Sequence, residues 1–481
     1  MLGLTVFTTS YSQQNNTMYL LHDIPQSNLL NPAVQLNCKW YFGLPLFTST
    51  YFNYSNTTFA LNELFSRNTD TASINISKLY DNIRNTNLLN TEMNLDLLSL
   101  GFHFGGYYYL TFNIQEKASL VFTYPGSLVE LLWKGNTQFL GETEKFNNLR
   151  IHASYYREYS FGFSNIKDEK STWGVRAKFL FGKANIYSGK SEINMQTNSN
   201  TFDIKVAGDM SISSSFPITI DQNEDGEISG ITTDDVDVGK LITNNKNKGF
   251  AVDFGWIYKY DEFITLSASI LDFGFIRWET DANNVRIKGS YTYKGMGLEQ
   301  GTDQSDFFSS IADSISKGFD QTVKGGRYYS WLPTQIYLGG TYKFHPILTF
   351  GAVNRNTIYR NKLHSSFTLS ANLKLKKSFA GSLSWSYLNN SFKNIGVAVA
   401  WFGEGGQFHI TSDNVLGFFK PFDARNISLR FGAGFMLGCS QRDKKQLKIR
   451  SKYKIIKKAN CTWYKVFLRK QKRKKELLNK N

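Results

Sequence analysis

Proline is scarce in this chain, with 8 among 481 residues against 39 Phe and 26 Tyr. Long apolar runs are missing too. No stretch of about 18 consecutive apolar residues exists, which excludes a helical membrane protein. Cysteine is rare: Cys38, Cys439 and Cys461 are scattered, without metal-ligand spacing or a disulfide framework. Cys38 and Cys439 could pair if the chain ends meet, but the odd count speaks against it. Nucleophile motifs are absent as well. There is no Gly-x-Ser-x-Gly, no His-Glu-x-x-His and no phosphate loop, so no catalytic residue and no enzyme are expected. The six His are spread along the chain and read as structural.

Charge is unevenly spread. Residues 442–481 hold 17 Lys and Arg against Asp443 and Glu476, which nearly accounts for the formal net charge of +16. The body is close to neutral, and a nucleic-acid partner has no support there.

What the chain does have is a two-residue beat. From Phe367 to Lys376, Phe367, Leu369, Ala371, Leu373 and Leu375 alternate with Thr368, Ser370, Asn372, Lys374 and Lys376. Successive side chains of a strand leave opposite faces, so this is a strand period. The beat recurs at Trp173–Gly182, Phe250–Lys259, Ile264–Ile270, Phe379–Tyr387 and Ile427–Leu437. Weaker copies lie at Tyr108–Ile114, Ile336–Lys343, Leu348–Arg355 and Ile395–Trp401. A soluble β-sandwich also alternates. Here, though, the apolar face carries aromatics near strand ends (Trp173, Trp256, Tyr258, Trp385, Tyr387, Trp401), where an interfacial girdle would sit. The other face is rich in Gly, Ser and Thr, with some charges. The pattern predicts an all-β fold, a transmembrane antiparallel β-barrel. The mean hydropathy of −0.33 is no objection, because a barrel hides its apolarity in alternation.

The chain divides into three regions. Residues 1–12 resemble the end of a secretory signal peptide, apolar from Leu2 to Thr9 and then small. They lack a basic n-region, so Met1 reads as an internal start after a longer leader. Residues 13–438 form the barrel. Within it, Leu20–Ala33 is apolar but irregular, broken by Pro25, Asn28, Asn31 and Pro32, which suits a plug-like segment packed inside. Residues 439–481 read as a basic, disordered tail, or as a lipid-binding amphipathic segment.

A few short helices are expected at Leu128–Lys134, Asp306–Phe319 and Ile76–Ile83. The first is signalled by a Ser127/Glu130 capping box and a Gly135 stop. Gly403–Gly406 reads as a hairpin turn. Two long polar inserts, 183–248 and 279–329, are expected outside the cell, because such barrels have short periplasmic turns and long external loops.

One run suggests a metal. Asp221, Asn223, Asp225, Gly226 and Glu227 match the first half of a calcium loop, with oxygens at positions 1, 3 and 5 and Gly at 6. Position 12 is Thr232 in place of the bidentate acid. Calcium is the one cofactor expected; the alternative is a solvated acidic turn. The inward charges Arg176, Lys178, Asp253, Lys259, Lys374 and Lys376 could line a pore or be satisfied by a plug.

Several blocks together resemble a family of Bacteroidetes outer-membrane proteins, DUF5723. They are Ile24–Pro32, Gly43–Pro45, Tyr124–Asn136, Leu271–Trp278, Ser412–Gly417 and Asn426–Gly432. The resemblance covers about residues 18–438, and the tail departs from it. It implies a barrel of about fourteen strands, distantly like the long-chain fatty-acid transporter and type IX secretion barrels. It also implies the outer membrane of a Gram-negative bacterium, with membrane lipid as a partner. Passive transport of a hydrophobic or amphipathic ligand is the first functional expectation. A non-enzymatic scaffold, linked to secretion-system proteins or surface assembly, is the alternative. An apolar lumen would favour the first, and a fixed plug the second.

Overall fold

The computed structural model describes residues 15–58, 65–68, 71–74, 83–104, 106–222, 228–232, 237–293, 318–359, 362–375, 378–388, 391–420 and 424–439. Fourteen antiparallel strands close into one barrel. The first, β1, is interrupted, with pieces Trp40–Gly43 and Thr50–Asn56. Then come β2 (Thr86–Phe104), β3 (Tyr108–Pro125), β4 (Arg150–Ile166), β5 (Ser171–Thr197), β6 (Asn247–Lys259) and β7 (Ile264–Trp278). The second half is β8 (Thr334–His345), β9 (Leu348–Tyr359), β10 (Lys362–Leu375), β11 (Phe379–Leu388), β12 (Ser391–Phe402), β13 (Gly406–Ser412) and β14 (Asn426–Leu437). Both pieces of β1 pair with β14 on one side and β2 on the other, so the seam leaves no free edge.

The beat in the sequence becomes two faces. On β6, Phe250, Phe254 and Trp256 point outward, each more than 40% exposed, while Ala251 and Asp253 are fully buried between them. On β13 and β14, Phe408, Ile410 and Phe435 face out, and Gln407, His409 and Arg430 face in. This is the apolar belt and polar interior of a membrane-spanning barrel. No described helix is long and apolar enough to cross a membrane.

The two ends differ. At one end the connections between consecutive strands are short, and among the described residues 167–170, 260–263, 346–347 and 403–405 are its turns. Gly405, at φ 98°, makes the backbone turn in the last of them. The long connections lie at the other end, and there the described residues of 183–248 and 279–329 are largely strand. The lower part of β5 pairs with β6, but its upper part, Asn185–Thr197, pairs with Ile204–Ser215. That strand pairs with Ala282–Tyr293, which pairs with Phe319–Gly325. The wall is therefore raised on one side, above the apolar belt. Asp209 in this extension receives hydrogen bonds from Arg286 and Lys190, which hold its carboxyl well below the usual carboxylate range.

Two expectations need correction. The helix at Gly126–Lys134 begins before Ser127, with Pro125 as its N-cap in extended backbone and no side-chain cap, so the Ser127/Glu130 box does not form. Pro125 already fixes a φ compatible with a helix start, which makes the box unnecessary. Gly135, at φ 72°, ends this helix as expected. The cysteines also differ from the reading of the sequence: Cys38 and Cys439 form a disulfide. Closure of β14 on β1 puts both at the short-turn end, a proximity that spacing in the sequence does not encode. The helix expected at Ile76–Ile83 lies almost wholly outside the described residues, as do residues 306–317 of the second. Phe319, the last of that stretch, opens a strand.

Candidate functional site in the lumen

The barrel encloses its own N-terminal segment. From Asn15 to Cys38 nearly every residue is buried, with short helical turns at Asn16–Tyr19 and Pro25–Leu29. Pro25, Asn28, Asn31 and Pro32 prevent a regular element here, which leaves backbone groups free for contacts with the wall. The segment runs down, up and down again. Thr17 donates twice to Asp413, from its backbone N–H at 2.8 Å and its hydroxyl at 2.6 Å. Tyr19 stacks on Tyr337, with centroids 4.7 Å apart, and Arg355 lies over the Tyr337 ring. Asp23 pairs with Lys374 near the short turns. The chain then rises to Asn28, and descends past Ser269, whose hydroxyl donates to the Leu30 carbonyl at 2.7 Å. Gln35 bonds Ser164 at 2.8 Å, and a His103 ring nitrogen meets the Leu36 carbonyl at 2.6 Å.

Glycines make room for this segment. At Gly174 on β5 and Gly255 on β6, an added Cβ would overlap the Pro32 carbonyl and the Asn31 side chain respectively. Both positions face the lumen on neighbouring strands, so the backbone passes against a wall without side chains.

Beside it lies a buried ionic knot. Lys178 Nζ is 2.8 Å from Asp253 and 2.6 Å from Asp272, and Lys117 is 2.7 Å from Glu158. Arg176 pairs with Asp253 at 3.1 Å and reaches up to the segment, donating to the Asn28 carbonyl and side-chain oxygen at 2.6 Å each. Three cations meet three carboxylates, which is how buried charge is tolerated. Asp272 sits at φ 58°, where β7 bulges against β6. The bulge re-aims this carboxylate at Lys178.

The remaining free volume at the short-turn end is a cavity of about 490 Å³. Leu20, Leu21, Val34 and Ile257 give it an apolar floor, and Lys167, Lys170 and Lys343 stand at its mouth. The luminal segment itself forms part of the floor. Such a space, of ordinary ligand size, fits a small molecule with an apolar body.

The charges singled out in the sequence have different fates. Arg176, Lys178 and Asp253 join the ionic knot, and Lys374 binds the segment through Asp23. Lys259 lines the cavity, and Lys376 lies outside the described residues. Asp221 is exposed and pairs opposite Gly230 in a small hairpin, with Thr232 opposite Thr219. Asn223, Asp225 and Glu227 fall outside the described residues. Among the described residues no group of three or more His, Cys, Asp or Glu could hold a metal ion. Lys117, Glu158, Asp272 and Asp413 carry the site but were not picked out individually. The signal for the last two was at hand, because they lie inside the blocks Leu271–Trp278 and Ser412–Gly417.

A family model described as a family of unknown function, DUF5723, matches residues 32–413. The chain belongs to this family. No curated protein matches it. Solved structures similar to it include the Ralstonia pickettii toluene transporter TbuX, at 8% identity and TM-score 0.40, covering 86% of this chain and 94% of the other. A Pseudomonas aeruginosa FadL homologue has 8% identity and TM-score 0.37, covering 89% and 99%. The Pseudomonas putida toluene transporter TodX has 9% identity and TM-score 0.36, covering 89% and 94%.

Proposed function

We infer that this barrel resides in the outer membrane of a Gram-negative bacterium and passes a small hydrophobic or amphipathic compound, without catalysing a reaction. The observation that carries this reading is the cavity at the short-turn end, whose floor of Leu20, Leu21, Val34 and Ile257 is laid partly by the luminal segment. Short turns mark the periplasmic end of such barrels, so the cavity would open toward the periplasm. The segment acts as a plug that must shift for passage, and the lysines at the mouth suit an acidic head on an apolar body.

The reading is tested with purified full-length protein in liposomes and the hydrophobic fluorophore N-phenylnaphthylamine. Protein-dependent binding that falls in Val34→Trp, which fills the cavity, supports it. Binding equal in Val34→Trp and wild type removes it. Heat-modifiable migration of the band in an outer-membrane fraction tests the location.

A second reading has its own support. The segment is held by Asp413, Arg176, Lys374 and a disulfide, a fixed stopper that would suit a scaffold linked to secretion or surface assembly. A barrel that binds no fluorophore but co-purifies with other envelope proteins after cross-linking would favour it. We propose as well that the acidic stretch with Asp221, Asn223, Asp225 and Glu227 binds calcium. Loss of calcium binding in Asp225→Asn would support this, and a wild type without binding would end it.

A further inference from the structure

Two rows of side chains cross the outward face of the barrel where β5, β6, β7 and the short strand Tyr328–Trp331 lie side by side. Register sets both rows. In the lower one, Phe179 stands opposite Phe250, Phe250 opposite Phe275, and Phe275 opposite Trp331. Phe179 meets Phe250 edge to face with ring centroids 5.8 Å apart, and Phe275 meets Trp331 at 5.5 Å. In the upper one, Phe181 stands opposite Lys248, and Arg277 opposite Tyr329. The pairing of Gly249 with Ile276 places Lys248 beside Arg277 in the middle of that row. Each upper residue lies two positions along its strand from an aromatic below it, so both rows share the outer face.

An aromatic row near a bilayer edge is ordinary. Two cations side by side above it are not, because like charges on neighbouring strands repel. Arg277 is engaged by Glu279, with Nε and Nη2 each 3.1 Å from a carboxylate oxygen. Lys248 is exposed and makes no ion pair among the described residues. A groove of about 670 Å³ opens beside them, where Lys246 adds a third cation and Asp281 a second carboxylate. Even with both carboxylates counted, the lining keeps a net positive charge. Asn245 and Thr280 complete it with an amide and a hydroxyl.

The long connections lie at this end, which is the external end of such barrels, so the upper row stands where the aromatic belt meets the outer headgroups. We propose that this patch is a binding site for a phosphate-bearing glycolipid of the outer leaflet, a proposal that rests on the outer-membrane location inferred above. Its acyl chains lie over Phe179, Phe250, Phe275 and Trp331. A headgroup phosphate sits between Lys248 and Arg277, where it turns their repulsion into two attractions. Phosphate suits both partners, since it offers several oxygens to a guanidinium fork and to a compact ammonium. Lys246 can reach the same group or a second phosphate, and the amide and hydroxyl of the groove suit the hydroxyls of a sugar. The site is on the outside of the wall, so it asks for no movement of the luminal segment.

The test is native mass spectrometry of the purified full chain in detergent, with diphosphoryl lipid A as the probe. Wild-type protein should retain the lipid, and lipid A stripped of both phosphates should bind several-fold more weakly. The double variant Lys248→Gln/Arg277→Gln should lose most of the binding while keeping heat-modifiable migration. Wild-type protein that retains no lipid, that holds both forms equally, or that binds no better than the double variant would overturn the proposal. So would displacement of the lipid by inorganic phosphate at equal concentration, since the aromatic row would then contribute nothing. Should the double variant lose heat-modifiable migration, Lys248→Gln alone replaces it, and unchanged binding there would overturn the proposal. Absence of the protein from the outer-membrane fraction would remove the location and this site with it. Failed or unselective lipid binding by a protein found in that fraction would remove this site alone.

Discussion

Arg176 on β5 grips Asn28 of the luminal segment twice, through its backbone carbonyl and its side-chain oxygen, both at 2.6 Å. The same guanidinium pairs with Asp253 on β6. One side chain thus joins the wall charges to the segment.

Replacing it should therefore cost more than one hydrogen bond. Arg176→Leu leaves Asp253 with Lys178 as its remaining cation and strips two anchors from Asn28. Breaking a buried pair from one side typically costs about 3–5 kcal/mol. The expected result is a lower temperature of heat-modification on gels. Arg176→Lys should recover part of this at most, because a lysine cannot fork between two acceptors. A variant as heat-resistant as wild type would show that Arg176 is not an anchor.

Gly255→Val separates the segment from the wall by a different means. The new side chain would overlap Asn31, and the adjacent Ala33 and Pro32. The strand ladder of β6 is untouched, so the barrel should still fold. The segment should be displaced, read as raised single-channel conductance in planar bilayers. Conductance at the wild-type level would mean that the segment can be accommodated elsewhere in the lumen.

The outward face makes a third prediction. Phe254 lies mid-strand on β6 and is 48% exposed. Phe254→Arg puts a charge into the apolar belt, which costs about 2–4 kcal/mol near the midplane of a bilayer. Reversible urea unfolding in lipid vesicles would measure it. A loss well below that range would move the belt away from Phe254.

The disulfide gives a fourth. A protease digest without reductant should yield one linked species containing Cys38 and Cys439, which separates on reduction. Cys38→Ser should lower stability by about 2–5 kcal/mol, the usual cost of removing a native bridge. A digest with both thiols free would contradict the pairing.

Much of the wall was legible because lipid and lumen select opposite side chains at alternate positions, and β6, β10, β14 and β5 up to Gly182 keep that period. β2 and β4 were missed. β2 contains a register shift at Asp96/Leu98, where one extra residue moves every later side chain to the other face, whereas β4 alternates without a break but puts Tyr156 on its inner row and Arg157 on its outer one, which blurs the contrast. Leu20–Ala33 was readable as a segment packed inside, since its prolines and asparagines forbid a strand or helix. The ionic knot was not readable, because Lys117, Glu158, Lys178, Asp253 and Asp272 come from five strands and meet only when those strands are in register. Pairing of Cys38 with Cys439 was hidden for the same reason, as it depends on closure.

That covalent bond sets limits on motion. Residues 15–37 run on into β1, and the bond fixes their junction with the wall to the last strand, so any swing of the segment out of its berth pivots about Cys38. Fully extended, those residues would reach about 75 Å, well beyond a bilayer core of about 30 Å. A displaced segment would remain at high local concentration beside its own barrel, and its return would be a first-order event, independent of how many copies the membrane holds.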